Sequence, residues 1–165
     1  MLRSIAIFSV FILSLPACAQ PRIKLVYSDL NFNLPSSISA MGDAGGEQNI
    51  LIIRYGDVRG KNFIAFSDMT NDSSVDYGCP ASDFFHGVFS DRASPTCNKD
   101  NMSLMRQVFV EGKQVESWSV NGYEIAYSKG DKKTFAFVIR DNGKLVKIDS
   151  DFISKDSLKE MLENL

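Results

Sequence analysis

The side chains best suited to chemistry lie in one polar stretch, residues 68–101. It contains His86, the single histidine of the chain. A serine or cysteine nucleophile normally needs a positioned base, which is most often a histidine. His86 follows Phe84 and Phe85, and the chain has no Gly-x-Ser-x-Gly elbow that would present a nucleophile. A partly buried or rim histidine is therefore the favoured interpretation, and a nucleophilic hydrolase is not expected.

Acidic side chains in the same stretch suggest two other chemistries. Glycoside hydrolysis requires a pair of carboxylates at a fixed separation, and Ca²⁺ accepts irregular sets of carboxylate and amide oxygens. Asp68, Asn71, Asp72 and Asp76 supply such oxygens, but their spacing differs from that of an EF-hand loop and no Glu closes the set. We expect no acid-pair enzyme, and we favour a solvated acidic loop, with calcium binding as the alternative.

The N-terminus has the composition of a secretory signal peptide. Arg3 supplies a positive start, and Ile5–Leu15 is an apolar run too short to span a bilayer. Residues 1–19 are therefore predicted to be a signal peptide and residues 20–165 a single domain. The formal charge of the whole chain is −2, without a clustered basic run, so a nucleic-acid partner is not expected.

Two processing routes are open at Cys18. Ala17-Cys18-Ala19 matches the small-x-small pattern of ordinary signal peptidase. Leu15-Pro16-Ala17-Cys18 resembles a bacterial lipobox, in which Cys18 is lipidated and becomes the first mature residue, and we favour this route. Resemblance to bacterial lipoproteins also implies sorting to the outer membrane, because Ala19 rather than Asp follows the cysteine. The expected location is the periplasm, with membrane contact only through a lipid anchor.

Cys79 and Cys97 are predicted to form a disulfide bond. An exported chain that keeps two cysteines most often pairs them. The closed loop would stabilise the fold by about 3 kcal/mol in the chain-entropy model. The alternative is a metal site, but no second Cys or His lies at ligand spacing near either residue. We expect a disulfide, no metal and no cofactor.

The disulfide-tied stretch also holds the residues predicted to contact a partner. Ala81–Phe89 is predicted to form a short helix capped by Ser82 or Asp83, with four large apolar residues on one stripe. Two interpretations remain open: the stripe packs on the sheet as core, or one or two rings stay exposed as anchors for a protein partner. The residues predicted for that contact are Asp83, Phe84, Phe85, His86, Phe89 and Asp91.

Most of the remaining chain is predicted to be antiparallel β-structure. Asn49–Tyr55 is continuously apolar, which is typical of a central strand covered on both faces. Ser36–Asn49 contains several glycines and is predicted to be a loop or a short irregular helix. The other predicted strands before the C-terminal third are 23–27, 30–34, 62–67, 104–111 and 114–120.

The C-terminal third is predicted to form the scaffold around which the rest of the chain is arranged. Val120–Asp151 alternates apolar and polar residues and turns at Asp141-Asn142-Gly143, a pattern that predicts a three-strand meander. Ser154–Leu165 is predicted to be an amphipathic helix with Ser154 as its cap. The predicted fold class is α+β: one domain in which a twisted antiparallel sheet carries this helix on one face and displays the disulfide-tied loop.

Four segments carry a resemblance to a known family. The chain resembles small bacterial envelope proteins of the PsbP-like type, whose antiparallel sheet carries helices and whose chain ends strand, strand, helix. Envelope proteins of this size and layout include lipoproteins that neutralise toxins delivered to the periplasm by type VI secretion, so the resemblance implies an immunity role. The segments are Gly122–Tyr127, Phe135–Ile139, Val146–Ile148 and Ser157–Leu162.

These observations lead to one expectation for function. We expect an exported, non-enzymatic binding protein of the immunity type, which blocks a periplasm-directed toxin by protein–protein contact. The alternative is an envelope lipoprotein with a structural or small apolar ligand-binding role.

Overall fold

A computed structural model describes residues 21–45, 48–90, 94–140 and 143–165 of the chain. The predicted signal peptide with Cys18 lies outside these ranges, and so do Asp91 and the Asp141-Asn142 part of the predicted turn. Within the ranges the chain forms an α+β domain with antiparallel strands, as predicted. The strands are β1 (Arg22–Tyr27), β2 (Leu30–Pro35), β3 (Ile38–Gly45), β4 (Ile50–Tyr55), β5 (Phe63–Asp68), β6 (Gln114–Val120), β7 (Tyr123–Lys129), β8 (Thr134–Ile139) and β9 (Leu145–Ser150). The helices are α1 (Ala81–Phe89), α2 (Lys99–Phe109) and α3 (Lys155–Leu162).

A side chain caps the start of α3 but not the start of α1. Ser154 caps α3 as predicted, because its side chain accepts a hydrogen bond from the Ser157 amide at 3.1 Å. Pro80 stands before α1, and no side chain caps that helix, so the predicted cap at Ser82 or Asp83 is wrong. None of the helices in the described ranges is long and apolar enough to cross a membrane.

Seven of the described strands form one large antiparallel sheet in the order β3-β4-β5-β9-β8-β7-β6, while β1 and β2 pair as a separate hairpin. The predicted meander lies within this sheet as β7, β8 and β9, with Ala126 opposite Phe137. Asn121 and Gly122 connect β6 to β7 and have positive φ values of 47° and 83°. Two consecutive positive φ values are what a tight two-residue hairpin turn requires.

Both faces of the sheet centre are apolar, because successive residues of a strand point to opposite faces. Ile125 and Val138 belong to one face, which is covered by the hairpin layer, defined as β1, β2 and α3. Ala126 and Phe137 belong to the other face, which is covered by the helix pair, defined as α1 and α2. The C-terminal helix therefore packs on one face, as predicted, through the buried residues Leu158, Met161 and Leu162.

Two predicted elements are wrong. Ser36–Asn49, predicted to be a loop or irregular helix, contains β3, which pairs with β4 despite its glycines. Leu104–Glu111, predicted to be a strand, lies mostly in α2, whose apolar residues Met102, Met105 and Phe109 have helical spacing and pack toward the sheet. Asn98 caps this helix by accepting a hydrogen bond from the Asn101 amide.

A third expectation, that β4 is covered on both faces, is also wrong. Ile53 and Tyr55 are buried under the hairpin layer. Ile52, which points to the opposite face, is 40% exposed because the helix pair does not extend that far. The described residues therefore leave one face of β4 open.

The predicted disulfide between Cys79 and Cys97 is present and connects the segments that lead into α1 and α2. The Asn98 amide also donates a hydrogen bond to the Tyr77 carbonyl at 2.8 Å, so the two segments run close together. Gly78 has a φ of +68°, and a Cβ there would lie 2.8 Å from backbone atoms of Thr96 and Asn98. Only glycine permits this approach.

Replacing both cysteines, Cys79→Ser with Cys97→Ser, should destabilise the fold. The bond spans 18 residues of sequence, and a loop of that size is worth about 3 kcal/mol of unfolding free energy. Urea unfolding with and without reductant measures the effect, since only the natural chain should respond to reductant. Equal midpoints for the natural and doubly substituted chains under oxidising conditions would refute this role.

Candidate functional site

The predicted contact stripe of α1 faces inward. Phe84 and Phe85 are 0% and 1% exposed. The Phe85 ring stacks on Phe137 of β8, with centroids 4.6 Å apart, and Tyr77 packs against both α1 rings. An anchor for a partner has to be exposed, so the interpretation in which Phe84 and Phe85 contact a partner is corrected. These rings hold α1 on the sheet.

The other predicted contact residues are more accessible. Asp83 is exposed, while His86 and Phe89 are half-buried. The Phe89 ring lies 5.2 Å from that of Phe137, which assigns most of its surface to the core. Asp91 lies outside the described residues. The structure thus leaves Asp83 and His86 as the solvent-facing part of the predicted surface.

His86 lies in an array that has the composition of a catalytic triad. Its Nε2 is 3.0 Å from a carboxylate oxygen of Glu124 on β7, and its Nδ1 is 3.3 Å from the Ser90 hydroxyl. Sequence reasoning missed this array because Glu124 is far from His86 in the chain. The end of α1 and the start of β7 bring the two side chains together.

The Ser90 hydroxyl of this array also contacts the backbone of α1. The Ser90 hydroxyl donates its proton to the His86 carbonyl at 2.8 Å. The contact between His86 Nε2 and the Glu124 carboxylate links α1 to β7.

A second polar cluster joins the tip of the β1–β2 hairpin to the large sheet. Lys144 Nζ is 2.6 Å from the Ser28 hydroxyl and 3.5 Å from an Asp68 carboxylate oxygen, and Ser28 donates to Asp68. Serine and lysine form a nucleophile and base in some hydrolases. Here the Ser28 hydroxyl accepts from Lys144 and donates to Asp68, so the Ser28 side chain at the hairpin tip contacts the large sheet. The cluster positions the hairpin layer.

The acidic side chains considered above as possible calcium ligands accept hydrogen bonds from nearby residues. Asp72 accepts hydrogen bonds from the Gln48 amide at 2.9 Å, from Ser74 and from the Tyr77 hydroxyl. The Asp76 carboxylate accepts from the side chain of Asn98 at 3.2 Å. Within the described ranges, no group of three or more His, Cys, Asp or Glu side chains is arranged to hold a metal ion.

An open apolar surface lies at the β3 edge of the sheet, on the face that carries the helix pair. We call it the open patch and define it as Ala40, Gly42, Ala44, Ile52 and Arg54. These residues line a shallow groove of about 350 Å³. Ala40 lies opposite Arg54 and Gly42 opposite Ile52, so small side chains of the edge strand expose the larger ones of β4.

The edge beside the open patch is suited to pairing with another strand. In the described part of the chain, β3 is hydrogen-bonded to β4 alone. Met41 is 56% exposed on the opposite face of the same strand. Register shifts occur near both ends of β3, and they leave a regular segment from Ala40 to Asp43. Sequence reasoning missed this surface because it predicted a loop there.

Comparison with known proteins returns no relative. No family model matches this chain, and no curated protein or solved structure matches it either.

Phe85→Ala should unfold the protein at a lower urea concentration. Loss of a buried phenylalanine costs about 3–5 kcal/mol through lost contacts and a residual cavity. The matched control is Leu104→Ala on α2, where the side chain is 57% exposed and the expected change is within about 0.5 kcal/mol. If the two variants unfold at the same urea concentration, the inward orientation of α1 is wrong.

Asp72→Asn should reduce the loss of unfolding free energy that the protein suffers on acidification. Burial alone would raise the pKa of Asp72, but the hydrogen bonds from Tyr77, Gln48 and Ser74 outweigh it and hold the pKa below its ordinary value. The unfolded chain therefore binds this proton at a higher pH than the folded one. The resulting stability is fully present above the unfolded pKa, about 3.9, and is lost as pH falls through the folded pKa.

Urea unfolding at a series of pH values below neutral measures this dependence. The natural chain should lose more unfolding free energy on acidification than Asp72→Asn does. The exposed Asp57 supplies the control, since Asp57→Asn should keep the natural slope. An unchanged slope in Asp72→Asn would show that the carboxylate makes no stabilising contact.

Proposed function

We propose that the chain is an exported, non-enzymatic binding protein of the immunity type, which blocks a periplasm-directed toxin by direct contact. The observation that carries this proposal is the open patch, an apolar face that the described residues leave uncovered beside a strand edge that none of the described strands pairs with. The contact surface proposed now is this patch, in place of the buried Phe84 and Phe85.

The chemistry of the open patch favours an extended protein segment as its occupant. Gly42 and the two alanines of β3 have little side-chain bulk, so a second backbone can approach closely. An added strand would gain main-chain hydrogen bonds along Ala40–Asp43, and its alternate side chains would lie over Ile52. Arg54 adds a positive charge, which favours a carboxylate on the partner.

The predicted signal peptide and the resemblance to PsbP-like envelope proteins also support this proposal. A toxin delivered to the periplasm can be neutralised only by a protein located there, and the predicted signal peptide would bring the chain to that compartment. Exposed apolar surface is costly to maintain on a protein without a partner, since it promotes aggregation. A partner that covers the patch removes that cost.

The alternative of a small apolar ligand has less support. The space between α3 and the large sheet would be the natural place for such a ligand. Leu158, Met161 and Leu162 fill it and are almost fully buried. A ligand would have to displace these side chains.

A competition assay between sibling cells tests the immunity role. A strain without this gene should be inhibited on contact with its parent, because the parent delivers a toxin against which the deleted strain is unprotected. The natural gene should restore survival, and Ile52→Asp should fail to restore it, because a carboxylate in the patch opposes burial under a partner.

The control is Leu104→Asp, which places the same charge on the exposed face of α2 and should restore survival. Thermal melting and export of both variants should match those of the natural chain. A deleted strain that suffers no contact-dependent inhibition would contradict the immunity role. Restoration by Ile52→Asp would contradict the open patch as the contact surface.

A further inference from the structure

The turns at one end of the large sheet bring several basic side chains together. Strand register brings 56–62, 112–113, 129–133 and 151–154 to this end, because Tyr55 pairs with Ile38, Gln114 with Lys129, and Thr134 with Ser150. We call these segments the basic end. They contain six basic and three acidic side chains, a net charge of +3 in a chain of net charge −2. The basic residues are Arg59, Lys61, Lys113, Lys129, Lys132 and Lys133.

One of the three acidic side chains of the basic end makes hydrogen bonds within the fold. The Asp151 carboxylate accepts hydrogen bonds from the amides of Asn62 and Phe63 at 3.1 Å and 2.9 Å. Arg59, Lys61, Lys129 and Lys132 are exposed. The opposite end of the sheet carries the acidic residues Asp29, Asp68, Asp72 and Glu163 together with the basic residues Arg140 and Lys144, so acidic side chains outnumber basic ones there.

Two large apolar side chains are exposed among these charges. Val58 is 63% exposed at the tip of the turn between β4 and β5, and Phe152 is 42% exposed after β9. The Phe152 ring packs on Tyr55 with centroids 5.3 Å apart, which holds it at this end. Basic residues interspersed with exposed apolar residues are typical of surfaces that lie at a membrane interface.

The predicted lipid anchor enters the domain at the same end. Arg22, the first residue of β1, pairs with Pro35. Three residues after Pro35, β3 begins at Ile38, which pairs with Tyr55 at the basic end. Cys18 precedes Arg22 by four residues, a span of at most about 14 Å in any conformation. Acyl chains on Cys18 would therefore keep the bilayer surface close to the basic end.

We propose that the basic end docks on anionic phospholipid headgroups, with Val58 and Phe152 at the interface. The proposal rests on the predicted lipidation of Cys18 and is independent of the toxin partner. Stable attachment of lipidated proteins commonly combines acyl chains with a basic surface. An acidic protein is the other candidate for a basic surface, but it would not account for the anchor emerging at this end. Docking in this orientation leaves the open patch beside the sheet free for a partner.

Hydrogen exchange on membrane-tethered protein tests the proposal. The mature chain, coupled through the Cys18 thiol to a maleimide lipid, is compared on phosphatidylcholine vesicles with and without phosphatidylglycerol. Amides of 56–62 and 130–133 should exchange more slowly on the anionic vesicles, and added salt should remove the difference. The Asn121-Gly122 turn at the opposite end should exchange equally on both.

Matched variants separate the basic end from overall charge. Arg59→Gln with Lys132→Gln should lower the docking equilibrium constant roughly 25-fold, since each basic side chain near an anionic surface contributes about a fivefold gain. Lys24→Gln with Lys99→Gln removes the same charge elsewhere and should leave the protection unchanged.

Three outcomes would overturn the proposal. The first is equal exchange of the two turns on neutral and anionic vesicles. The second is equal loss of protection in both double variants. The third is protection by soluble polyglutamate but not by vesicles, which would assign the basic end to an acidic protein. Mass spectrometry of the native mature N-terminus checks lipidation separately, so failure of the anchor and failure of the docking surface are distinguishable.

Discussion

The fold depends on the need to bury two apolar faces of one sheet. In β7, β8 and β9 most residues are buried, and neighbours such as Ile125 and Ala126 point to opposite faces, so both faces require cover. The hairpin layer covers one face and the helix pair covers the other. Each covering layer is fixed to the sheet by polar contacts, through Lys144, Asp68 and Ser28 on one side and through His86 and Glu124 on the other.

The two covers differ in extent, and the open patch follows from that difference. The hairpin layer reaches β4 and buries Ile53 and Tyr55, whereas the helix pair packs over β7, β8 and β9. The disulfide joins the segment before α1 to the segment before α2, and both helices pack over the sheet centre. Ile52 and Arg54 consequently remain accessible beside an edge strand. The features proposed to bind a partner are thus the part of the sheet that the described residues leave uncovered.

The sequence predicts the parts of this fold that local chemistry decides. The alternation in Val120–Asp151, the Ser154 cap and the cysteine pair each specify their structure within a short window. β3 and the second half of α2 were mispredicted, because β3 depends on pairing with β4 and the Met102, Met105 and Phe109 stripe depends on a sheet to pack against. The orientation of Phe84 and Phe85 was equally undecided by sequence, since an apolar stripe can face a core or a partner. The open patch required knowledge of which faces were already covered.

The central claim is that the open patch contacts a foreign protein in the periplasm, and site-specific photo-crosslinking in cells tests it most directly. A photoreactive amino acid at position 52 should yield an adduct between this chain and a second, different protein during contact with toxin-delivering siblings. The same probe at position 104, on the exposed face of α2, should yield none. Absence of an adduct at position 52, or an adduct made only with another copy of this chain, would contradict the account.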